Sequence, residues 1–214
     1  MKKLVLFLII LLCISGCAKK KEKETITEEE TETIIEEDDL DDLKVLVICF
    51  SMTGEQYNVG VIEEGNTYVV SLMIADHFDA DYVLIQPNKE YPDTYKELTE
   101  VAKEEQNENA RPTYWNPIPD PQAYDLIFIG APVWWGDWPM IMYTVFENND
   151  FSGKTLLPFC THEGSGLSGF DKKLQEACPD STVLKGLAIR GSDAQNKRDE
   201  TKETVEDFLK ELGY

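Results

Sequence analysis

Apolar residues along this chain fall into short runs separated by amphipathic stretches. The first run is Leu43-Lys-Val-Leu-Val-Ile-Cys-Phe50, continuous apart from Lys44. Such continuity is what a strand covered on both faces requires. Tyr82–Gln86, Leu126–Gly130, Thr155–Cys160 and Val183–Ile189 are four more runs of this kind. Between and after them the spacing predicts helices over about 66–78, 93–108, 139–149, 168–178 and 195–212. The last carries Val205, Phe208, Leu209 and Leu212 on one face. Gly213 then supplies a helix stop. Strands alternating with helices in this way predict an α/β fold over residues 43–214, with a doubly wound, five-stranded parallel sheet and right-handed crossovers.

In such sheets ligands bind outside the carboxyl ends of the strands, so the loops after the first, third and fourth strands carry the chemistry. The first, Ser51 to Thr67, contains hydroxyls and glycines and runs into a helix, whose N-terminus can hold a phosphate through backbone N–H groups. It has no Lys or Arg, which excludes a P-loop, and it lacks the glycine fingerprint of a dinucleotide site. The second, Gly130-Ala-Pro-Val-Trp-Trp-Gly-Asp-Trp-Pro139, places three tryptophans in a strand-to-helix loop. Loops run on the surface, so these rings are candidates for stacking on a planar ligand, although any one of them could instead pack on its own helix. The third, Thr161-His-Glu-Gly-Ser-Gly-Leu-Ser168, permits close backbone approach at Gly164 and Gly166 and adds the Ser165 hydroxyl. His162 could titrate beside a ligand or simply be exposed.

Charge separates the N-terminal part from the rest. The formal charge is -21: residues 1–21 contribute +5, residues 22–42 contribute -11, and residues 43–214 contribute -15. A balance this acidic excludes a nucleic-acid binder. Lys2 and Lys3 precede an apolar run from Leu4 to Ile14, which is too short to span a bilayer and reads as a secretory signal over residues 1–16. Ile14-Ser-Gly-Cys17 resembles the bacterial lipobox, which implies diacylation (palmitate or a similar chain) at Cys17 and a tether on the extracytoplasmic face of the cell membrane. Residues 17–42 then read as an acidic, disordered linker, because repelling charges with few apolar residues cannot offset ordering entropy. No C-x-x-C spacing points to a metal. Cys49 and Cys160 fall in strand patterns as buried thiols, with a Cys160–Cys178 bridge as the alternative.

A phosphate loop, an aromatic loop and a polar Gly loop on one strand-end edge resemble the flavodoxin superfamily, which binds FMN with these three loops. The chain is most similar to flavodoxin-like proteins carrying Ser-x-x-Gly-Asn-Thr, Gly-x-Pro-x-Trp-Trp-Gly, Asp-Phe-Ser-Gly-Lys and Pro-Phe-x-Thr-x-x-Gly-Ser-Gly. These appear here as Ser51 with Gly65-Asn66-Thr67, Gly130 to Gly136, Asp150 to Lys154, and Pro158 to Gly166. The resemblance spans residues 44–212 and implies strand order 2-1-3-4-5 and FMN as cofactor. It assigns the phosphate to Ser51, Asn66 and Thr67, with Thr53 in addition. The remaining contacts go to Pro132, Val133, Trp134, Trp135 and Gly136, and to Thr161, Gly164, Ser165 and Gly166. It also implies a mobile peptide at Gly136, where glycine tolerates positive φ.

One departure matters: about eleven residues, Gly54 to Glu64, interrupt the phosphate loop. The resemblance itself implies an FMN protein passing electrons between redox partner proteins or small acceptors. The domain's negative charge disfavours an anionic reduced flavin and lowers its potential. A second reading is an FMN-dependent NAD(P)H or quinone oxidoreductase. A third is a non-redox lipoprotein domain whose insertion has destroyed the cofactor site.

Overall fold

The structure is a computed structural model that describes residues 43–214; the signal segment, Cys17 and the acidic linker lie outside the described residues. Parallel strands β1 (Val45–Cys49), β4 (Asp81–Leu84), β5 (Leu126–Pro132), β6 (Thr155–His162), β7 (Thr182–Val183) and β8 (Leu187–Arg190) form one sheet. Its order is β4-β1-β5-β6-β7, and β8 also pairs with β6. Counting β7 and β8 as one interrupted strand, this is the predicted 2-1-3-4-5 order. A separate antiparallel hairpin, β2 (Gly54–Gln56) with β3 (Gly60–Ile62), occupies the insertion.

Alternation along each strand divides the core between two faces. Val45, Val47 and Cys49 face one way and are covered by α1 (Asn66–Phe78), α5 (Gly191–Asn196) and α6 (Arg198–Glu211), through Val69, Ile74, Ala194, Val205 and Leu209. Leu46, Ile48 and Phe50 face the other way, against α2 (Tyr95–Glu108), α3 (Met140–Asn148) and α4 (Phe170–Ala177). Burial of each large side chain stabilises the fold by roughly 1.5–3 kcal/mol. Every residue of β1 is buried, as a strand with helices on both faces must be.

The predicted fifth strand is broken in two. Leu156 pairs with Val183 and Phe159 with Leu187, so Leu157 and Pro158 face three residues, Leu184 to Gly186. The Leu156 carbonyl accepts the Leu184 N–H at 2.9 Å. By alternation the missing N–H of Pro158 lies on this same edge, and a one-residue bulge absorbs the lost bond. The last predicted helix is also divided, at Lys197 (φ -138°). Cys49, Cys160 and Cys178 are buried free thiols, so the Cys160–Cys178 bridge does not form. Burial pushes Cys49 and Cys160 up to about 12 and Cys178 up to about 11, leaving all three protonated and unreactive.

Candidate functional site

A cavity of about 380 Å³ opens at the carboxyl ends of β1, β5 and β6, within the ordinary size range of cofactor pockets. Of the residues predicted to form a site, Asn66, Pro132, Val133, Trp134, Trp135 and Thr161 line it directly.

One end is built around the start of α1. Ser51, leaving β1, accepts the Tyr68 N–H at 3.0 Å through its hydroxyl and so serves as a cap supplied from outside the helix. Val69 closes the first turn onto the Gly65 carbonyl at 3.1 Å. A first turn leaves its leading N–H groups without intrahelical partners, here those of Asn66 and Thr67. The Thr67 hydroxyl lies 2.6 Å from that of Thr161 at the end of β6, a buried contact joining two of the predicted loops. Gly65 is indispensable to this packing: a Cβ there would overlap Ser51 Oγ and stand 2.5 Å from the Met52 carbonyl oxygen. The insertion therefore loops out without parting Ser51 from Gly65–Thr67. Among the described residues Asn66 Oδ1 is buried without a hydrogen-bond partner, although Asn66 lines the cavity. A buried acceptor left unpaired costs free energy until a donor reaches it.

The aromatic loop behaves differently at each tryptophan. Trp134 packs edge-on against Phe50 and Tyr91, with ring centroids 5.5 and 5.2 Å apart. Trp134 and Asp137 exchange backbone hydrogen bonds of 2.9 and 3.0 Å. The turn between them holds Trp135 at φ 51° and Gly136 at φ 74°, the signature of a type I′ turn. Glycine adopts this freely, whereas an aromatic residue is strained there. Trp135 is nonetheless 55% exposed, fixed by its indole N–H to the Thr99 carbonyl at 2.9 Å and by the Lys103 ammonium 5.0 Å from the ring centroid. Trp138 departs from the expectation of a surface ring. It is buried, stacked on Phe170 at 3.8 Å, with its N–H satisfied by the Phe170 carbonyl.

Gly136 does not line the cavity; its carbonyl accepts from Lys173, which also pairs with Asp137 at 3.1 Å. Ser51, Thr53, Thr67, Gly164, Ser165 and Gly166 likewise lie off the lining. Thr53 is exposed, and its carbonyl accepts the Gln56 side-chain amide. Gly164 and Gly166 have positive φ, and the Gly164 N–H donates to His162 Nδ1 at 2.8 Å. His162 and Glu163 do line the cavity. Burial, followed by the Arg190 charge, holds His162 below the usual imidazole range. Glu163 is committed elsewhere, accepting the Ser192 N–H at 2.6 Å.

The sequence pattern does not report the wall made by Gln56 and Tyr57 of the hairpin and by Tyr95, Leu98, Thr99 and Ala102 of α2. The α2 residues were hidden because only the fold brings that helix to the cavity. The hairpin had a visible signal in Asn58 (φ 59°) two residues before Gly60 (φ 89°), both in turn conformations.

A family model described as flavodoxin matches residues 44–208. No curated protein matches the sequence. Among solved structures, a candidate flavoprotein from Bacteroides uniformis ATCC 8492 is 30% identical, covering 78% of this chain and 98% of its own, with a TM-score of 0.63. A candidate flavoprotein from Bacteroides eggerthii DSM 20697 is 23% identical over 80% and 98%, with a TM-score of 0.64. A flavoprotein from Lactobacillus acidophilus NCFM, in complex with FMN, shares the fold at 20% identity over 71% and 95%, with a TM-score of 0.57.

Proposed function

The chain belongs to the flavodoxin family of FMN-binding proteins, and on that premise we propose that it is an FMN-dependent electron carrier tethered to the extracytoplasmic face of the cell membrane by lipid on Cys17. The observation that carries the cofactor reading is the buried Asn66 Oδ1, unpaired among the described residues, on a residue that starts a helix and lines an aromatic cavity. FMN brings donors and anionic acceptors together on one side chain, and the residues present fit both. Asn66 Oδ1 can accept from a ribityl hydroxyl. The leading N–H groups of α1, favoured by the helix dipole, can take the phosphate without a lysine or arginine in the loop.

Bound FMN supplies the electron chemistry. The chain's own residues bind, orient and shield it. Trp134 and Trp135 offer flat rings to a planar ligand. Thr67 and Thr161 hold two loops together across the phosphate end. The -15 charge of residues 43–214 supports the role of electron donor rather than acceptor and favours basic partners. The lipobox-like Ile14 to Cys17 and the acidic stretch after it support the tether. Two acyl chains suffice for stable anchoring, whereas one does not.

The test is made on protein purified from the membrane fraction of cells making the full chain. The expected result is a flavin spectrum, with FMN identified by mass after denaturation, and no appreciable direct oxidation of a nicotinamide. Cys17→Ser should leave the protein unlipidated and outside the washed membrane fraction or uncleaved. Rapid nicotinamide oxidation would replace the carrier with a reductase, and protein that binds no flavin would remove the cofactor reading.

A further inference from the structure

We propose that the hairpin inserted into the phosphate loop is the wall that recognises the flavin ring, with Tyr57 as a residue determining affinity for that ring. This rests on FMN being the ligand of the cavity.

The hairpin is built in rather than loosely appended. At its base Gly54 has φ 82°, and a Cβ there would stand 2.7 Å from the Asp93 carbonyl oxygen. The Glu55 N–H donates to that carbonyl at 2.8 Å, and the Glu55 carboxylate accepts the Tyr95 N–H at 2.9 Å, capping the first turn of α2. Past its far strand, Glu64 is held by Arg198 at 2.7 Å and by the Gln195 amide at 2.6 Å. Both ends are therefore pinned, one to α2 and the other to the segment carrying α5 and α6.

The tip is placed differently. Tyr57 lies in the three-residue turn between Gln56 and Gly60 and stacks on Tyr95, with ring centroids 5.6 Å apart and planes at 29°. Both residues line the cavity, yet Tyr57 is 54% exposed and Tyr95 38%. Among the described residues neither phenol hydroxyl has a hydrogen-bond partner. Capping α2 needs only Glu55, and Tyr57 adds nothing to it. A pinned hairpin that holds an aromatic ring at a cavity mouth, with much of its surface uncovered, fits a planar ligand.

The loops support the same assignment. Thr161 to Ser168 contains no Phe, Tyr or Trp, and Trp138 is committed to the core. The flat apolar lining of the cavity therefore comes from Trp134 and Trp135 together with Tyr57 and Tyr95. The insertion thus supplies aromatic cover while leaving Ser51 packed against Gly65.

The test uses the full chain as wild type, Tyr57→Ala and Tyr57→Phe, titrated with FMN and with riboflavin while flavin fluorescence is followed. Tyr57→Ala is expected to raise Kd about tenfold for both ligands, leaving their ratio unchanged because the phosphate end is untouched. Iodide should then quench the bound flavin more strongly. Tyr57→Phe keeps the ring and should bind within about twofold of wild type. Unchanged binding of both flavins by Tyr57→Ala would overturn the proposal, as would a loss confined to FMN. If wild type binds neither flavin, the cofactor reading fails first. If wild type binds and only the Tyr57 effect is missing, the hairpin assignment alone fails.

Discussion

At the α1 end of the cavity the packing is tight: Gly65 sits too close to Ser51 and Met52 for any side chain, and two threonine hydroxyls meet at 2.6 Å. At the α2 end the same cavity is lined by half-exposed rings, Tyr57, Tyr95 and Trp135, held from outside by a hairpin, a lysine and one carbonyl. The difference shows how a pocket can separate two tasks. Small groups held by backbone and hydroxyl contacts suit a charged phosphate, whose recognition needs fixed donors. Large flat rings suit an apolar heterocycle, whose recognition tolerates adjustment.

The largest expected effect comes from breaking the packed end. Gly65→Val would force Ser51 away from Gly65 and spoil the start of α1. It should cost about 1–3 kcal/mol of stability, the usual range for overpacking, as read by urea unfolding. FMN affinity should fall toward that of riboflavin, because the donors addressing the phosphate move. Riboflavin affinity should change much less. A parallel loss for both ligands would mean that the two ends are not separate.

A smaller effect is expected at the open end. Trp135 is held at φ 51°, a conformation asparagine tolerates better than an aromatic residue. Trp135→Asn gains from this relief and loses the indole hydrogen bond and the lysine contact, each worth about 1 kcal/mol. Stability should therefore stay within about 1 kcal/mol of wild type, while affinity for both flavins falls roughly fivefold, a change of ~1 kcal/mol. Unchanged flavin affinity would show that Trp135 maintains the turn and not the ligand.

The contrast also explains which parts of the molecule were legible in the sequence. The five apolar runs and the helix at 66–78 were visible because each is dictated locally, by continuity or period. At the α1 end the pattern defines only the strand and the helix that Ser51 and Asn66-Thr67 border, and it was the resemblance that singled out those residues for a phosphate. The division of the fifth strand was not visible, because its cause, Pro158, lies on the neighbouring strand. Nor was α5, which starts directly from β8 and receives the Glu163 carboxylate on Ser192 from 29 residues away in sequence. Trp138 and Trp135 look alike in sequence, and only the position of Phe170 buries one and not the other. The α2 wall depends on long-range docking through Asp93 and Glu55, which no local pattern reports.

Among the described residues the cavity lining holds no lysine or arginine, so a phosphate at its α1 end would meet neutral donors alone. Titration of the wild-type chain with FMN and with riboflavin, side by side, decides whether that end reads the phosphate. Two hydrogen bonds to a charged group, at about 1.5–3 kcal/mol each, predict that FMN binds at least ~100-fold more tightly than riboflavin. Equal affinity for the two flavins would contradict the account, leaving a cavity that holds a ring but has no phosphate site.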